Sequence, residues 1–354
     1  MKTQVAIVGG GLAGLALARD LHARGVSFEL FEARPRFGGR IKALETATGS
    51  VDLGPSWFWP GQPRIAALTE ALNLRKFEQF ARGAVSLEDA SGEVHRNMGF
   101  ASMAGSWRLE GGMVALTNAL AAALPTAQLH PGSPVVEIGA GPSVTLEDGR
   151  VCEAEHVVLA VPPRVAAHMS FAPQLSEAQM QALRAIPTWM AGHAKFVALY
   201  ERPFWREAGL SGDAMSQRGP LAEIHDASGP DGTPAALFGF LGVPARARIG
   251  QEEVVKAAAL EQLGRIFGPE AANPQTYALE DWAVAPETAT GADLEPLRFH
   301  PDYGLPPVLR GLREGRVHFA SSETAPEMGG YMEGALAAAE RVAHDLVGGF
   351  AATP

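Results

Sequence analysis

The sequence predicts an α/β fold that opens on a nucleotide-binding βαβ unit, and two observations predict it. The first is the apolar run Val5-Ala6-Ile7-Val8, followed at once by Gly9-Gly10-Gly11-Leu12-Ala13-Gly14 and an apolar-periodic helix over 15–24, with Leu17 and Leu21 four apart. The second is another apolar strand over 26–31 that ends on an acid, Glu32. Strand, glycine turn, helix, strand and acid in this order are the setting in which G-x-G-x-x-G carries information. Gly9 lets the chain turn, Gly11 leaves room for a pyrophosphate, and Gly14 lets the helix pack close to the strand. The helix N-terminus offers free N–H groups and the positive end of its dipole to phosphate. Glu32 stands where ribose hydroxyls need an acceptor.

Composition narrows the field. A chain of 354 residues can bury a large core and suggests about two domains. At 47% hydrophobic and 19% charged residues it reads as globular rather than disordered. With 29 basic and 39 acidic residues the net charge is −10, which argues against nucleic acid as a partner. A single cysteine, Cys152, excludes an intrachain disulfide framework and a cysteine metal cluster, and no metal site is expected. Cys152 itself reads as a small buried hydrophobe. No charged leader precedes the first strand and no apolar stretch is long enough to span a bilayer, so a cytoplasmic location is expected, with no membrane partner.

After Glu32 comes Ala33-Arg34-Pro35-Arg36-Phe37-Gly38-Gly39-Arg40. Paired glycines among arginines suit a backbone loop laid against a phosphate, although read alone the segment also fits a solvated basic turn. Residues 51–62 then place Trp57, Phe58 and Trp59 in a Pro/Gly-rich loop, which either plugs the core or lines an apolar pocket.

These three stretches, in this order, resemble the N-terminal third of the flavin-containing amine oxidases, the monoamine oxidase family. A glycine fingerprint alone suits any NAD or FAD enzyme; the glutamate followed by a Gly-Gly-Arg loop favours FAD. The resemblance implies that Gly9, Gly11 and Gly14 hold the pyrophosphate, with Leu12 and Ala13 between them in the cofactor site. It implies Glu32 at the adenosine ribose beside Ala33, and Arg34, Gly38, Gly39 and Arg40 beside the dinucleotide. It puts Gly54, Pro55, Ser56 and Trp57 under the isoalloxazine ring, and Trp57 and Trp59 at the substrate cavity.

Further along, residues 64–104 begin helical, and 86–96 read as a hairpin turning at Ser91-Gly92. Gly111-Gly112 opens an alanine-rich helix to Leu124. Strands follow at 134–138 and 144–146, then a hairpin turn at 147–150 into a strand from Val151 that carries Cys152, and an apolar strand over 157–161 ended by Pro162-Pro163. Gly139-Ala140-Gly141 is no second nucleotide site, since no helix follows it. In the resemblance Val135 meets the adenine end of FAD.

Ser176 caps a helix to Ile186. Residues 189–200 read as a long strand, with His193, Lys195, Val197 and Leu199 on one face and Ala194, Phe196, Ala198 and Tyr200 on the other. A lysine in so apolar a strand needs a partner or a solvated cavity, or it lies at an edge and snorkels to water. The family carries a lysine in a similar strand, ahead of a Pro-Phe-Trp segment, here Pro203-Phe204-Trp205. The family lysine reaches flavin N5 through a water, and the resemblance implies this catalytic role for Lys195. His193 reads as structural. Residues 225–234 form a polar turn and 236–243 a strand. Residues 251–267 form an amphipathic helix with Val254, Val255, Ala258, Leu263 and Phe267 apolar.

Residues 281–307 are irregular and hold five prolines, the mark of a functional loop. The family has a tryptophan here, matched by Trp282 in the cofactor site, then a tyrosine of an aromatic pair and, in some members, a cysteine that attaches FAD covalently. Gly291-Ala292-Asp293-Leu294 stands at that place, which implies noncovalent FAD and leaves Tyr331 as the surviving aromatic. The last signature, Val317 to Thr324 and then Gly329-Gly330-Tyr331-Met332, runs a strand through a glycine turn into a helix to Val347, with Leu336, Ala339, Ala343 and Leu346 buried. It resembles the family's C-terminal flavin-closing motif, except that Ser321 replaces the usual glycine. The resemblance implies Ser322 and Glu323 on the phosphate and ribityl side, Gly330, Met332 and Ala335 at the flavin, and Tyr331 at both flavin and substrate.

Taken whole, the resemblance implies a Rossmann-like FAD-binding domain of the GR2 type, made of 1–63, 107–165 and 308–350. It is interleaved with an α+β substrate domain on an antiparallel sheet, made of 64–106 and 166–307. It implies an enzyme that oxidises a small-molecule amine by hydride transfer to flavin, with dioxygen as acceptor. Two other classes remain open: a flavin dehydrogenase or desaturase of C–C bonds, as in the carotenoid and porphyrinogen enzymes, and a non-catalytic flavin-binding assembly factor.

Overall fold

The computed structural model describes residues 1–295 and 297–351, so Pro296 of the long irregular stretch lies outside it. Two sheets organise the chain. In the first, the strand Lys2–Val8 pairs in parallel with Phe28–Phe31 on one side and with Val151–Leu159 on the other. The helix between the first two strands spans Leu12–Ala23 and seals Leu15, Leu17 and Leu21 completely. Each such side chain contributes about 1.5–3 kcal/mol. Leu336, Ala339, Ala343 and Leu346 of the last helix, Met332–Ala351, pack into the same core.

The strand Val151–Leu159 corrects one expectation. The hairpin strand expected from Val151 and the apolar strand expected over 157–161 are one continuous strand that ends at Leu159. Its first half pairs antiparallel with Ser143–Leu146 and its second half in parallel with Val317–Phe319. The small turn at 139–141 joins Val135–Ile138 to Ser143–Leu146 as a hairpin. Ser170–Phe171 extends the first sheet beyond that hairpin.

The second sheet has seven strands and is antiparallel but for one pairing. Ala194–Tyr200 lies between Ala235–Leu241 and Thr276–Asp281, so Lys195 is not on an edge. The strand starts at Ala194 rather than at 189, because Met190 adopts φ 57° and bends the chain. The alternation holds: Val197 and Leu199 pack with Trp57 and Phe238, whereas Phe196, Ala198 and Tyr200 face the layer carrying Trp205. The hairpin Ala84–Glu88 with Val94–Arg96 adds the far edge. The helix Glu252–Phe267 covers the sheet with Val255, Ala259, Leu263, Ile266 and Phe267, but Val254 faces solvent. No helix among the described residues is long and apolar enough to cross a membrane.

Candidate active site

A cavity of about 800 Å³ runs between the two sheets, from the glycine turn to Lys195. It collects residues from both ends of the chain and from its middle. Every candidate named from the sequence lines it except Gly14 and Glu323. Gly14 is excluded by its own packing: a Cβ there would lie 2.0 Å from the Gly9 carbonyl oxygen. Its role is to let the helix approach the turn. Glu323 is wholly buried behind the wall, where it pairs with Arg40 Nη1 at 2.7 Å and accepts from Ser322 Oγ at 2.9 Å.

The near end fits a dinucleotide. A Cβ on Gly11 would find its nearest neighbour, Gly39 Cα, only at 3.8 Å, so the backbone there faces open space. The Leu12–Ala23 helix begins with no side-chain cap, which leaves its first N–H groups to whatever lies in front of it. Gly38 N–H donates to the Gly10 carbonyl at 2.8 Å and so lays the second glycine loop along the first. Glu32 accepts from the N–H groups of Gly10 (2.8 Å) and Arg34 (2.9 Å). A carboxylate has about four acceptor positions, so capacity remains for hydroxyls. Arg34 pairs with Glu287 at 3.1 Å and donates to Thr288 Oγ1 at 3.0 Å, binding the irregular 281–307 stretch across this end. Ser321 Oγ, in the cavity wall, is buried with no hydrogen-bond partner among the described residues.

At the far end Lys195 is 2% exposed. Its ammonium donates to Ser56 Oγ at 2.6 Å and to the Gly54 carbonyl at 3.1 Å, and sits 3.8 Å from the centre of the Phe238 ring. Burial pushes its pKa down to about 7, with Arg108 adding to the fall and Asp52 opposing it. Asp52 is itself buried, accepts from Met113 N–H at 2.7 Å, and is raised by that burial. Trp57 is fastened by Gln79, which accepts from Nε1 at 2.8 Å. Its ring stands edge-on to His225 and tilts over Phe238. Trp282 donates to the Leu53 carbonyl at 3.2 Å.

The sequence reading missed several wall residues. Trp189, His193, Met103 and Phe240 line this end, and none had been singled out for it. Trp189 lies against the Gly330-Tyr331 turn: a Cβ on Gly330 would meet Trp189 Cβ at 2.7 Å. His300 links the two rings, stacked on Tyr331 (5.3 Å, 21°) and edge-on to Trp189 (4.8 Å, 63°). Tyr303 stands edge-on to the same His300 (5.4 Å, 84°) and donates to the Pro187 carbonyl at 2.9 Å, behind the cavity wall. An isolated tryptophan after Pro187 was the only available signal, and it carries no periodicity.

The family profile described as flavin containing amine oxidoreductase matches residues 76–347, and that of the NAD(P)-binding Rossmann-like domain matches 7–72. The chain belongs to the flavin-containing amine oxidoreductases. Among relatives of this amine oxidoreductase is a putative flavin-containing monoamine oxidase, AofH, of Mycobacterium tuberculosis, 27% identical over 97% of this chain and 96% of that one. Amine oxidase [flavin-containing] B of Sus scrofa is 26% identical over 98% and 86%. A solved putrescine oxidase bound to putrescine shares the fold, with TM-score 0.81 at 22% identity over 98% and 99% of the two chains. The amine oxidoreductase is thus an enzyme of the flavin type.

Proposed function

We propose that this enzyme binds FAD noncovalently across the cavity, in the cytoplasm, and oxidises a small amine to an imine. The observation that carries the reading is the continuity of one cavity from the open Gly11 backbone to the buried Lys195 ammonium. The segments 1–63, 107–165 and 308–350 hold the dinucleotide, and 64–106 and 166–307 enclose the amine. Gly9, Gly11 and the uncapped helix take the pyrophosphate, Glu32 the ribose, and Arg40 with Ser322 the phosphate and ribityl side. Val135 packs on the adenine end. When bound, FAD supplies the two-electron acceptor for hydride from the α-carbon of the neutral amine, and dioxygen then takes those electrons as hydrogen peroxide.

The chain's own residues do the rest. Ser56 and the Gly54 carbonyl fix the Lys195 nitrogen at the cavity wall. Near neutral pH that nitrogen can hold or release a proton, and so would offer a bound flavin an adjustable charge at the cavity wall. Trp57, Trp59 and Tyr331 form apolar and aromatic walls that exclude water and hold the substrate α-carbon towards the ring.

The test is anaerobic titration of the purified protein with benzylamine, cyclohexylamine and putrescine, followed by admission of air. Bleaching of the flavin band near about 450 nm, with peroxide on aeration, is expected. A flavin spectrum that no amine alters would overturn the amine reading in favour of C–C dehydrogenation or a structural flavin. Bleaching without peroxide would keep the amine and remove oxygen as acceptor.

A further inference from the structure

His193 takes no part in the chemistry described so far, yet it lines the amine end of the cavity. It stands immediately before the Ala194–Tyr200 strand, two residues ahead of Lys195, and lines the same cavity. Its carbonyl accepts from Trp282 N–H at 3.1 Å, which continues the ladder and fixes its backbone. Among the described residues its imidazole has no hydrogen-bond partner, which is unusual for a half-buried polar ring.

His193 also borders a separate pocket of about 10 Å³, the size of one water. Thr188 Oγ1 lines that pocket, buried and without a hydrogen-bond partner. Arg164, Asp293 and Glu295 close its outer side. His193 therefore belongs to the walls of both the amine chamber and a polar, water-sized space.

We propose that His193 is a catalytic base that takes the proton from the incoming alkylammonium, holds it while the C–H bond breaks, and then passes it to water beside Thr188. This rests on the amine-oxidase reading of the same cavity. The step is balanced: one N–H bond of R–CH2–NH3⁺ breaks, its electron pair stays on nitrogen as the lone pair, and an N–H bond forms on the imidazole. The amine must lose this proton because a protonated nitrogen has no lone pair to stabilise the developing imine. The surrounding charges keep the ring unprotonated at rest. Arg248, held by Asp281 at 2.7 Å and donating to the Gly192 carbonyl at 2.6 Å, lies behind the ring. Lys195 lines the same cavity, and Asp293 is already paired with Arg164. Burial first, and Arg248 second, keep the imidazole below its ordinary 6.5 and so neutral and ready to accept at pH 7. The same apolar chamber lowers the substrate's ammonium pKa, which narrows the gap the proton must cross.

The experiment is anaerobic stopped-flow reduction of the FAD-loaded enzyme by whichever of benzylamine, cyclohexylamine or putrescine bleaches it, comparing wild type, His193→Ala and His193→Gln. With the proton kept on His193, wild-type kred/Kd is level, within about twofold, from pH 8 to 9, above the titrations of His193 and Lys195 and below that of the amine. Without the base only free amine is productive, so the variants gain about tenfold per pH unit over the same range. Imidazole added to His193→Ala is expected to raise the rate at pH 7. A purely structural histidine would change neither the slope nor the response to imidazole. Variants with the level wild-type profile, or a wild type that itself climbs tenfold per unit, overturn the proposal. Failure of every amine to bleach wild-type enzyme is the separate result that removes the underlying reading.

Discussion

Lys195 Nζ lies 2.6 Å from Ser56 Oγ, a pairing that joins an interior strand of the seven-stranded sheet to the loop after the Gly49–Asp52 strand. A hydroxyl both accepts and donates, so Ser56 can accept from the ammonium or donate to the neutral amine. The Gly54 carbonyl can only accept. The pair therefore survives a change of protonation without losing its hydrogen bond.

From this follows an expected behaviour of Lys195→Met. FAD should stay bound while reoxidation by oxygen slows by about 10²-fold, the usual worth of one positioned polar group. Wild-type reoxidation should change with pH around 7, where Lys195 titrates, and the variant should lose that inflection. Stopped-flow mixing of reduced enzyme with oxygenated buffer measures both. Equal rates in the two proteins would remove Lys195 from the oxygen reaction.

Gly11 and Gly14 should fail in opposite ways. Gly11→Val puts a side chain into open cavity, so the apoprotein should melt within a degree or two of wild type yet purify without flavin. Gly14→Ala drives a Cβ onto the Gly9 carbonyl and should cost about 1–3 kcal/mol before any ligand is considered. Apoprotein melting curves and the flavin-to-protein absorbance ratio separate the two.

Asp226 is a stability site away from the cavity. It is fully buried and accepts from Trp205 Nε1, from Arg206 through two nitrogens at 2.7 and 2.8 Å, and from Ser228 N–H. Asp226→Ala leaves the mostly buried Arg206 charge unpaired, and about 3–5 kcal/mol should be lost. Urea unfolding midpoints are the measure; a loss under 1 kcal/mol would contradict the assigned pairing.

His225 should make stability depend on pH. Burial pushes its pKa down, but hydrogen bonds to Asp213 (2.6 Å) and Glu223 (2.9 Å) outweigh that and raise it. The folded state thus binds the proton more tightly than the unfolded one. The stabilisation is complete below the unfolded value of 6.5 and fades as pH rises through the raised folded value. Thermal unfolding of His225→Gln should therefore lie further below wild type at pH 6 than at pH 9.

How much of this was readable beforehand follows from where information sits in a chain. The glycine turn, Glu32 and the closing helix were legible because each combines a special residue with a period, and the Leu336 to Leu346 stripe proved buried as expected. The two faces of the Lys195 strand were legible for the same reason. The strand's start was not, because Met190 in a left-handed conformation interrupts an otherwise apolar run. Trp189, His193, Met103 and Phe240 reach the cavity through tertiary placement alone. The strand from Val151 was legible, but its continuity with the apolar run from 157 was not, because its polar first half and apolar second half pair with different neighbours.

The cavity draws its wall from Gly9 near one end of the chain and from Ser322 and Ala335 near the other. During synthesis, a ribosome that has released only the first two-thirds of the chain presents a cavity wall that still lacks Trp282, Ser322, Tyr331 and Ala335. Flavin capture then becomes a late event, timed by emergence of the Val317–Phe319 strand and the helix behind it. Loading with cofactor would then act as a proof that the chain had been extended at least as far as Ala335.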